Sequence, residues 1–276
     1  MGILYLVATP IGNLEDISVR ALRVLREVQL IAAEDTRQTR KLLQHYEIQT
    51  AVTSYHEHSK LSKLGYVLEV LQDGEVALVS DAGTPTLNDP GYELVRAALE
   101  TGHTVSPIPG PSAPIAALVA SGLPTDSFLY LGYLPRKKAE RRGLLEEIRD
   151  LPFTLIFLEA PHRLLASLED LDAVLGNRQV AVARELTKLY EEIFRGNLQE
   201  AQAHFAAQPP RGEFTLVIGG RPAGEMRWTE AHLRSELSAR LDRGDPPSQI
   251  ASQVASESRW PRRKVYQLIL KLRHSK

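Results

Sequence analysis

Four short apolar runs in this chain each end in a loop set by proline or glycine, and this repeated unit limits the fold more than any other feature. Ile3 to Ala8 stops at Thr9-Pro10-Ile11-Gly12-Asn13, and Val76 to Val79 enters the long segment Ser80-Asp81-Ala82-Gly83-Thr84-Pro85-Thr86-Leu87-Asn88-Asp89-Pro90-Gly91. Thr104, Val105 and Ile108 lead into Pro109-Gly110-Pro111-Ser112-Ala113-Pro114, and Thr154 to Leu158 runs into Glu159-Ala160-Pro161-His162-Arg163. Apolar runs of this length bounded by such loops read as buried strands, and helix-like patterns between them imply an α/β fold with a largely parallel first sheet. Ligands of open α/β sheets bind outside the carboxyl ends of the strands, so the converging loops mark an expected site. Their prolines and glycines hold Asp81, Thr84 and Asp89 in place before any ligand arrives.

Further strands are expected near residues 29–33 and 50–54, completing the first sheet. Ser18 is placed to cap a helix carrying Val19, Leu22, Leu25 and Val28, and Arg37 to Tyr46 supplies another. The Ser121-Gly122-Leu123-Pro124 break reads as a hinge into a second α/β lobe. There Phe128 to Leu131, Thr154 to Leu158, Gln179 to Arg184, Glu191 to Arg195 and Phe214 to Ile218 read as strands, partly antiparallel because some connections are short. Arg221-Pro222-Ala223-Gly224 looks like a linker. Beyond it, Thr229 opens a helix to about Leu241, Ser248 opens a second, and a third follows Trp260-Pro261 with Val265, Leu268, Ile269 and Leu272, a helix-turn-helix-like set. The expected division is residues 1–121, 122–222 and 223–276.

Charge separates the last of these from the rest. From Arg227 to Lys276 there are eleven Lys and Arg against five Asp and Glu, about +6, which leaves about −7 on the remainder of a chain whose net charge is −1. A basic appendage on an acidic body suits an anionic partner such as RNA; a solvated, packing or dimer-stabilising tail is the alternative. The absence of cysteine excludes disulfides, Cys-ligated zinc and Fe–S clusters. No apolar run approaches the ~20 residues that span a bilayer, and the chain begins directly with a strand, so a cytoplasmic protein is expected.

The strand-end loops contain neither G-x-G-x-x-G nor G-x-x-x-x-G-K-[ST], and their prolines lack the N–H groups a phosphate cradle needs. The site therefore suits a ligand without phosphates, and S-adenosylmethionine fits.

Leu6 to Asp16, Ala33-Glu34-Asp35-Thr36-Arg37, the Ser80 to Gly91 segment, Pro109-Gly110-Pro111-Ser112-Ala113 and Glu159-Ala160-Pro161-His162-Arg163 together resemble the small-subunit ribosomal RNA methyltransferase I family, a branch of the tetrapyrrole methylase superfamily. The resemblance runs from about residue 3 to 220 and resumes at the C-terminus. It implies two α/β lobes with the cofactor cleft between them, usually in a homodimer. The implied activity is methyl transfer from S-adenosylmethionine to the ribose 2′-hydroxyl of a decoding-centre cytidine in 16S rRNA, within the small ribosomal subunit. Two rivals stay open: a tetrapyrrole methylase, and a non-catalytic RNA-binding assembly protein.

For the cofactor, the strand-end positions that match the family segments are Pro10, Asp81, Ala82, Gly83, Thr84, Ser112, Ala113, Leu158 and Ala183. For chemistry, Glu34 or Asp35 is the candidate base and Arg37 a phosphate or carboxylate partner; capping of a helix by Asp35 with an internal Arg37 ion pair is the alternative. For RNA, His56, Lys188, Arg262, Arg263 and Lys264 are the candidates, although Arg184, Glu185 and Lys188 could simply pair with one another. Tyr55-His56-Glu57-His58 has two histidines around a glutamate, but no third ligand is indicated and no metal is assigned. The family usually shows a His-Asn-rich run ending in Glu at this point, from which Glu57-His58-Ser59-Lys60 departs.

Overall fold

The computed structural model describes residues 1–56, 60–207, 209–221, 228–243, 245–258 and 260–274. The first half alternates strand and helix: β1 (Ile3–Val7), α1 (Val19–Glu27), β2 (Leu30–Ala33), α2 (Thr36–His45), β3 (Val52–Ser54), α3 (Lys60–Asp73), β4 (Val76–Val79), α4 (Tyr92–Glu100), β5 (Thr104–Ile108) and α5 (Ala113–Ser121). The five strands form one parallel sheet in the order β3-β2-β4-β1-β5. Every residue of β2 and β4 is buried, because helices cover both faces. Strand alternation sorts them: Ile31, Ala33, Ala77 and Val79 pack with Val24 and Leu25 of α1 and Leu42 and Leu43 of α2. Leu30, Ala32, Val76 and Leu78 pack on the other face with Val67 and Leu71 of α3 and Leu94 and Ala98 of α4. Ser18 caps α1 by accepting from the Ala21 N–H at 3.1 Å.

The second lobe contains β6 (Phe128–Tyr133), α6 (Lys138–Ile148), β7 (Thr154–Glu159), α7 (Leu164–Leu175), β8 (Gln179–Arg184), β9 (Glu192–Asn197), α8 (Leu198–Ala206) and β10 (Phe214–Ile218). Its five-stranded sheet has the order β6-β7-β10-β8-β9, with β6 and β7 parallel and every other pair antiparallel. One face packs on α6, α7 and α8 through Leu145, Leu164, Leu168, Leu171, Leu198 and Phe205. The other face receives α5: Ala117 and Leu118 pack on Ile156, Ala181, Ala183 and Val217. A helix that follows the first sheet in the chain therefore belongs to the core of the second. β6 runs two residues further than its apolar pattern suggests, because Gly132 adopts φ +66° and the pairing with β7 shifts between Tyr130 and Tyr133.

Beyond the second sheet lie α9 (Glu230–Asp242), α10 (Pro247–Ser258) and α11 (Arg262–His274). They share their own core of Leu233, Leu237, Ile250, Val254, Val265 and Ile269. Thr229 caps α9 by accepting from the His232 N–H at 3.2 Å. α10 begins at Pro247, one residue before Ser248, since proline's fixed φ suits a first helical position. Pro222, Ala223 and Gly224 of the expected linker lie outside the described residues. No helix among the described residues is long and apolar enough to cross a membrane.

Candidate active site

The Ser80 to Gly91 loop after β4 is tied to its neighbours on three sides. Thr9 N–H donates to the Gly83 carbonyl at 2.8 Å and Gly83 N–H returns to the Thr9 carbonyl at 3.0 Å, joining it to the loop after β1. The Thr84 hydroxyl donates to the Pro111 carbonyl at 3.2 Å, joining it to the loop after β5. Asp35 N–H donates to Asp81 Oδ1 at 2.9 Å, and Asp81 N–H donates to Glu34 Oε2 at 3.3 Å, joining it to the end of β2. Gly83 sits at φ +81°, a conformation that L side chains rarely adopt.

These loops form one wall of a cleft, and the second lobe supplies the other. Asp81, Ala82, Gly83, Thr84, Ser112, Ala113, Leu158 and Ala183 all line it, as does Glu34. Pro10 lines an adjoining hollow instead, which shares Ile11, Asp81, Ala82 and Glu213 with the cleft. The lobes meet across the cleft at two points. Tyr130 OH donates to Asn88 Oδ1 at 2.6 Å, and Gly132 leaves the space that the Asn88 amide occupies, since a Cβ there would lie 2.3 Å from Asn88 Nδ2. Gly12 approaches the loop after β8 so closely that a Cβ would lie 2.4 Å from Lys188 Cγ and 2.7 Å from Thr187 Oγ1.

The cleft is acidic. Glu34, Asp81, Asp89, Glu159 and Glu213 line it, and among the described residues no Lys or Arg does. Glu159 is ion-paired internally with Arg163, whose Nε lies 3.2 Å from Glu159 Oε1, and accepts a hydrogen bond from the Ser167 hydroxyl. Asp89 and Glu34 resist ionisation. Burial, followed by the charge of Glu34, pushes Asp89 up to about 6 despite a stabilising hydrogen bond from Ser80. Burial also raises Glu34, opposed by the Asp81 N–H and by nearby His56 and reinforced by the Asp81 and Asp35 carboxylates. Such a pocket favours a cation without phosphates. The sulfonium and ammonium of S-adenosylmethionine meet that description, and dinucleotides do not.

The neighbouring acid behaves differently. Asp35 caps α2, accepts from Arg37 N–H at 2.8 Å and pairs with the Arg37 guanidinium at 2.7 Å, which holds its carboxyl down at about 2. Asp35 and Arg37 are thus engaged with each other at the helix start, while Glu34 faces the cleft. Lys188 lines the adjoining hollow and pairs with Glu185 at 2.9 Å and Glu213 at 3.0 Å. Arg262, Arg263 and Lys264 are exposed on the first turn of α11. Glu57, His58 and Ser59 lie outside the described residues. The sequence offered no signal for Tyr130, which reads as an ordinary strand residue, or for Glu213. Asn88 could have been found from its place in a loop that needs left-handed residues, for it sits at φ +67°.

Residues 3–202 match the model of the tetrapyrrole (corrin/porphyrin) methylases. The chain is 51% identical to a ribosomal RNA small subunit methyltransferase I of Synechocystis over 99% of both chains. It is 48% identical to one of Halalkalibacterium halodurans over 97% of this chain and 94% of that one. A relative of the same name from Thermotoga maritima is 46% identical over its entire length, which covers 80% of this chain. Among solved structures, a diphthine synthase superposes with a TM-score of 0.63 at 14% identity, over 80% of this chain and 90% of that one. A Thermus thermophilus uroporphyrin-III-C-methyltransferase superposes at 0.54 with 20% identity, over 79% of this chain and 94% of that one. These two share the fold.

Proposed function

The chain belongs to the tetrapyrrole methylase family and, within it, to the ribosomal RNA small subunit methyltransferases I, and from that premise we propose that it methylates a ribose 2′-hydroxyl of 16S rRNA, on a decoding-centre cytidine, with S-adenosylmethionine as donor. The observation that carries this proposal is the match over 99% of both chains to a protein of that name. The acidic, phosphate-averse cleft supports the donor. S-adenosylmethionine, when bound, supplies an electrophilic methyl group on a cationic sulfur.

The chain's own residues do the rest. A ribose hydroxyl is a poor nucleophile at neutral pH, so alignment by the two walls of the cleft supplies a large part of the rate. Glu34, with its raised pKa, would take the hydroxyl proton onto its carboxylate as the oxygen–carbon bond replaces the methyl–sulfur bond, whose electron pair would leave with the thioether product. Asp35, held low by Arg37, is the weaker base and acts in positioning α2. Asp81 and Asp89 balance the donor's positive charge. Ile115 and Val119, exposed one turn apart on α5, offer an apolar stripe to a second copy in a homodimer. In this proposal Arg262, Arg263 and Lys264 dock RNA in the cytoplasm where ribosomes assemble.

The test is to incubate the protein with methyl-labelled S-adenosylmethionine and, separately, free 16S rRNA, 30S particles or a tetrapyrrole. Label on a cytidine 2′-oxygen of the small-subunit RNA is expected. Label on tetrapyrrole carbon, or on neither, overturns the proposal.

A further inference from the structure

An acidic cleft repels a polyanion. Carboxylates line it and, among the described residues, no Lys or Arg does, so cations that hold an RNA backbone have to stand at its rim. The second lobe supplies them. Tyr133, the last residue of β6, lines the cleft, and Arg136, Lys137 and Lys138 follow it in the chain, all three exposed. The step from Tyr133 to Arg136 spans at most ~11 Å.

This segment is a built surface. Arg141, 5% exposed, donates from Nη1 to the carbonyls of Pro135 at 3.2 Å and Arg136 at 3.3 Å. Arg163 donates from Nη2 to the carbonyls of Leu134 and, at 3.4 Å, Pro135. Two arginines thus fix the backbone that carries Arg136 and Lys137, which spares the cost of ordering it on binding. From α7, the buried Asp170 accepts from Arg141 Nε at 2.8 Å and from Arg142 Nε at 2.6 Å, and Lys138 Nζ lies 3.9 Å from it. One carboxylate therefore gathers three cations, at positions i, i+3 and i+4, on one face of α6. The Arg142 side chain stays 42% exposed, and its bond through Nε leaves the terminal N–H groups for another acceptor.

The charges of the patch do not balance. Five cations between residues 136 and 142 meet two carboxylates, Glu140 and Asp170, which leaves about +3. The Lys137–Glu140 contact at 2.9 Å is an exposed pair of the kind that contributes little, and Arg136 has no ion-pair partner among the described residues. α6 is also charged against its own dipole. Lys137 and Lys138 stand at its start, where cations are disfavoured, and Glu146 and Glu147 in its last turn, where anions are. Stability alone favours the reverse order.

We propose that Arg136 to Arg142 form a second RNA-binding surface, which grips phosphates of the strand flanking the methylated ribose while the acidic cleft takes the donor. Arg136 and Arg142 present guanidinium forks to the phosphates, and Lys137 and Lys138 add point charges. The proposal rests on the RNA methyltransferase function above and places RNA contacts on the methylase body, apart from the C-terminal helices.

The test is a combined full-length variant, Arg136→Ala, Lys137→Ala and Lys138→Ala. Its melting temperature should hold or rise, since two cations leave the start of a helix, and its calorimetric affinity for S-adenosylhomocysteine should equal wild type. For 30S particles, KM should increase about tenfold, and the slope of log affinity against log salt should fall by about 2–3, as the loss of three phosphate contacts requires. A second measurement needs no variant: 30S particles should protect Lys137 and Lys138 of the wild-type protein from acetylation, read by mass spectrometry. Wild-type KM and salt slope in the variant, or equal acetylation with and without 30S particles, overturns the surface and leaves the RNA methyltransferase function standing. Weaker binding at the wild-type salt slope also overturns it, by making the partner a ribosomal protein. Failure of the wild-type protein to methylate 30S particles removes the function on which the surface rests.

Discussion

Two consecutive acids at the end of β2 show how strongly local partners decide chemistry. Glu34 and Asp35 are equal candidates in the sequence; the fold gives Asp35 a helix cap and an arginine, and gives Glu34 a half-buried position facing other carboxylates. Glu34→Gln should therefore lower kcat by about 10²-fold with little change in donor affinity, whereas Asp35→Asn, which keeps a capping oxygen, should cost far less. Single-turnover kinetics of both variants check this, and equal losses would remove Glu34 from its role. Asp89 carries a stability consequence. Its folded-state value, about 6, lies above the ordinary 3.8, so the native protein holds a proton that the unfolded chain has already released. The resulting stabilisation is complete below about pH 4 and disappears as pH rises through 6. Asp89→Asn should thus raise the urea midpoint at pH 7.5 and flatten its dependence between pH 4 and 6, while weakening binding of cationic S-adenosylmethionine, all measurable by denaturation and calorimetry.

At the scale of elements, the strands and their terminal loops were legible because period, length and Gly/Pro punctuation are local properties. The apolar runs at 3–8, 75–80 and 154–158 correspond to β1, β4 and β7, and the loops after β1 and β4, with the end of β7 itself, line the cleft. What joins elements distant in sequence was not legible. Nothing in Phe128 to Tyr133 says that Tyr130 will meet Asn88, 42 residues away, and nothing in Arg37 to Tyr46 separates the orphaned Thr39 hydroxyl from a satisfied one. The charge pattern of the loop after β8 left RNA binding and internal pairing equally open for Lys188, and only the fold brings Glu213 to it. Glycines mark two of these junctions. Gly132→Ala should cost about 1–2 kcal/mol for its positive φ, with more lost as the new Cβ displaces Asn88. Gly83→Val meets less crowding, with Ile11 Cγ2 at 3.4 Å, but the same backbone penalty, and it should abolish donor binding in a protein that still unfolds cooperatively. Calorimetry and thermal unfolding together separate the two effects.

At the scale of the whole molecule, a basic appendage follows an acidic body, and the proposed function gives donor binding to the body and RNA binding to the appendage. Reversing Arg262, Arg263 and Lys264 to Glu should weaken binding to 30S particles and reduce the slope of log affinity against log salt by about 2–3, without altering donor affinity. A wild-type slope would make the appendage structural. The Thermotoga maritima relative, whose full length covers 80% of this chain, indicates that the family tolerates a shorter form. The position of β10 has a different kind of consequence. It is the last strand made, yet it sits at the centre of the second sheet between β7 and β8. A chain emerging from the ribosome can pair the five strands of its first sheet once Ile108 is out, but its second sheet lacks a middle until Ile218 follows. At about 5–20 residues per second, the apolar face of α5 waits on the order of 5–20 s for that strand, and those of β7 and β8 correspondingly less, so nascent-chain protection falls on the second lobe.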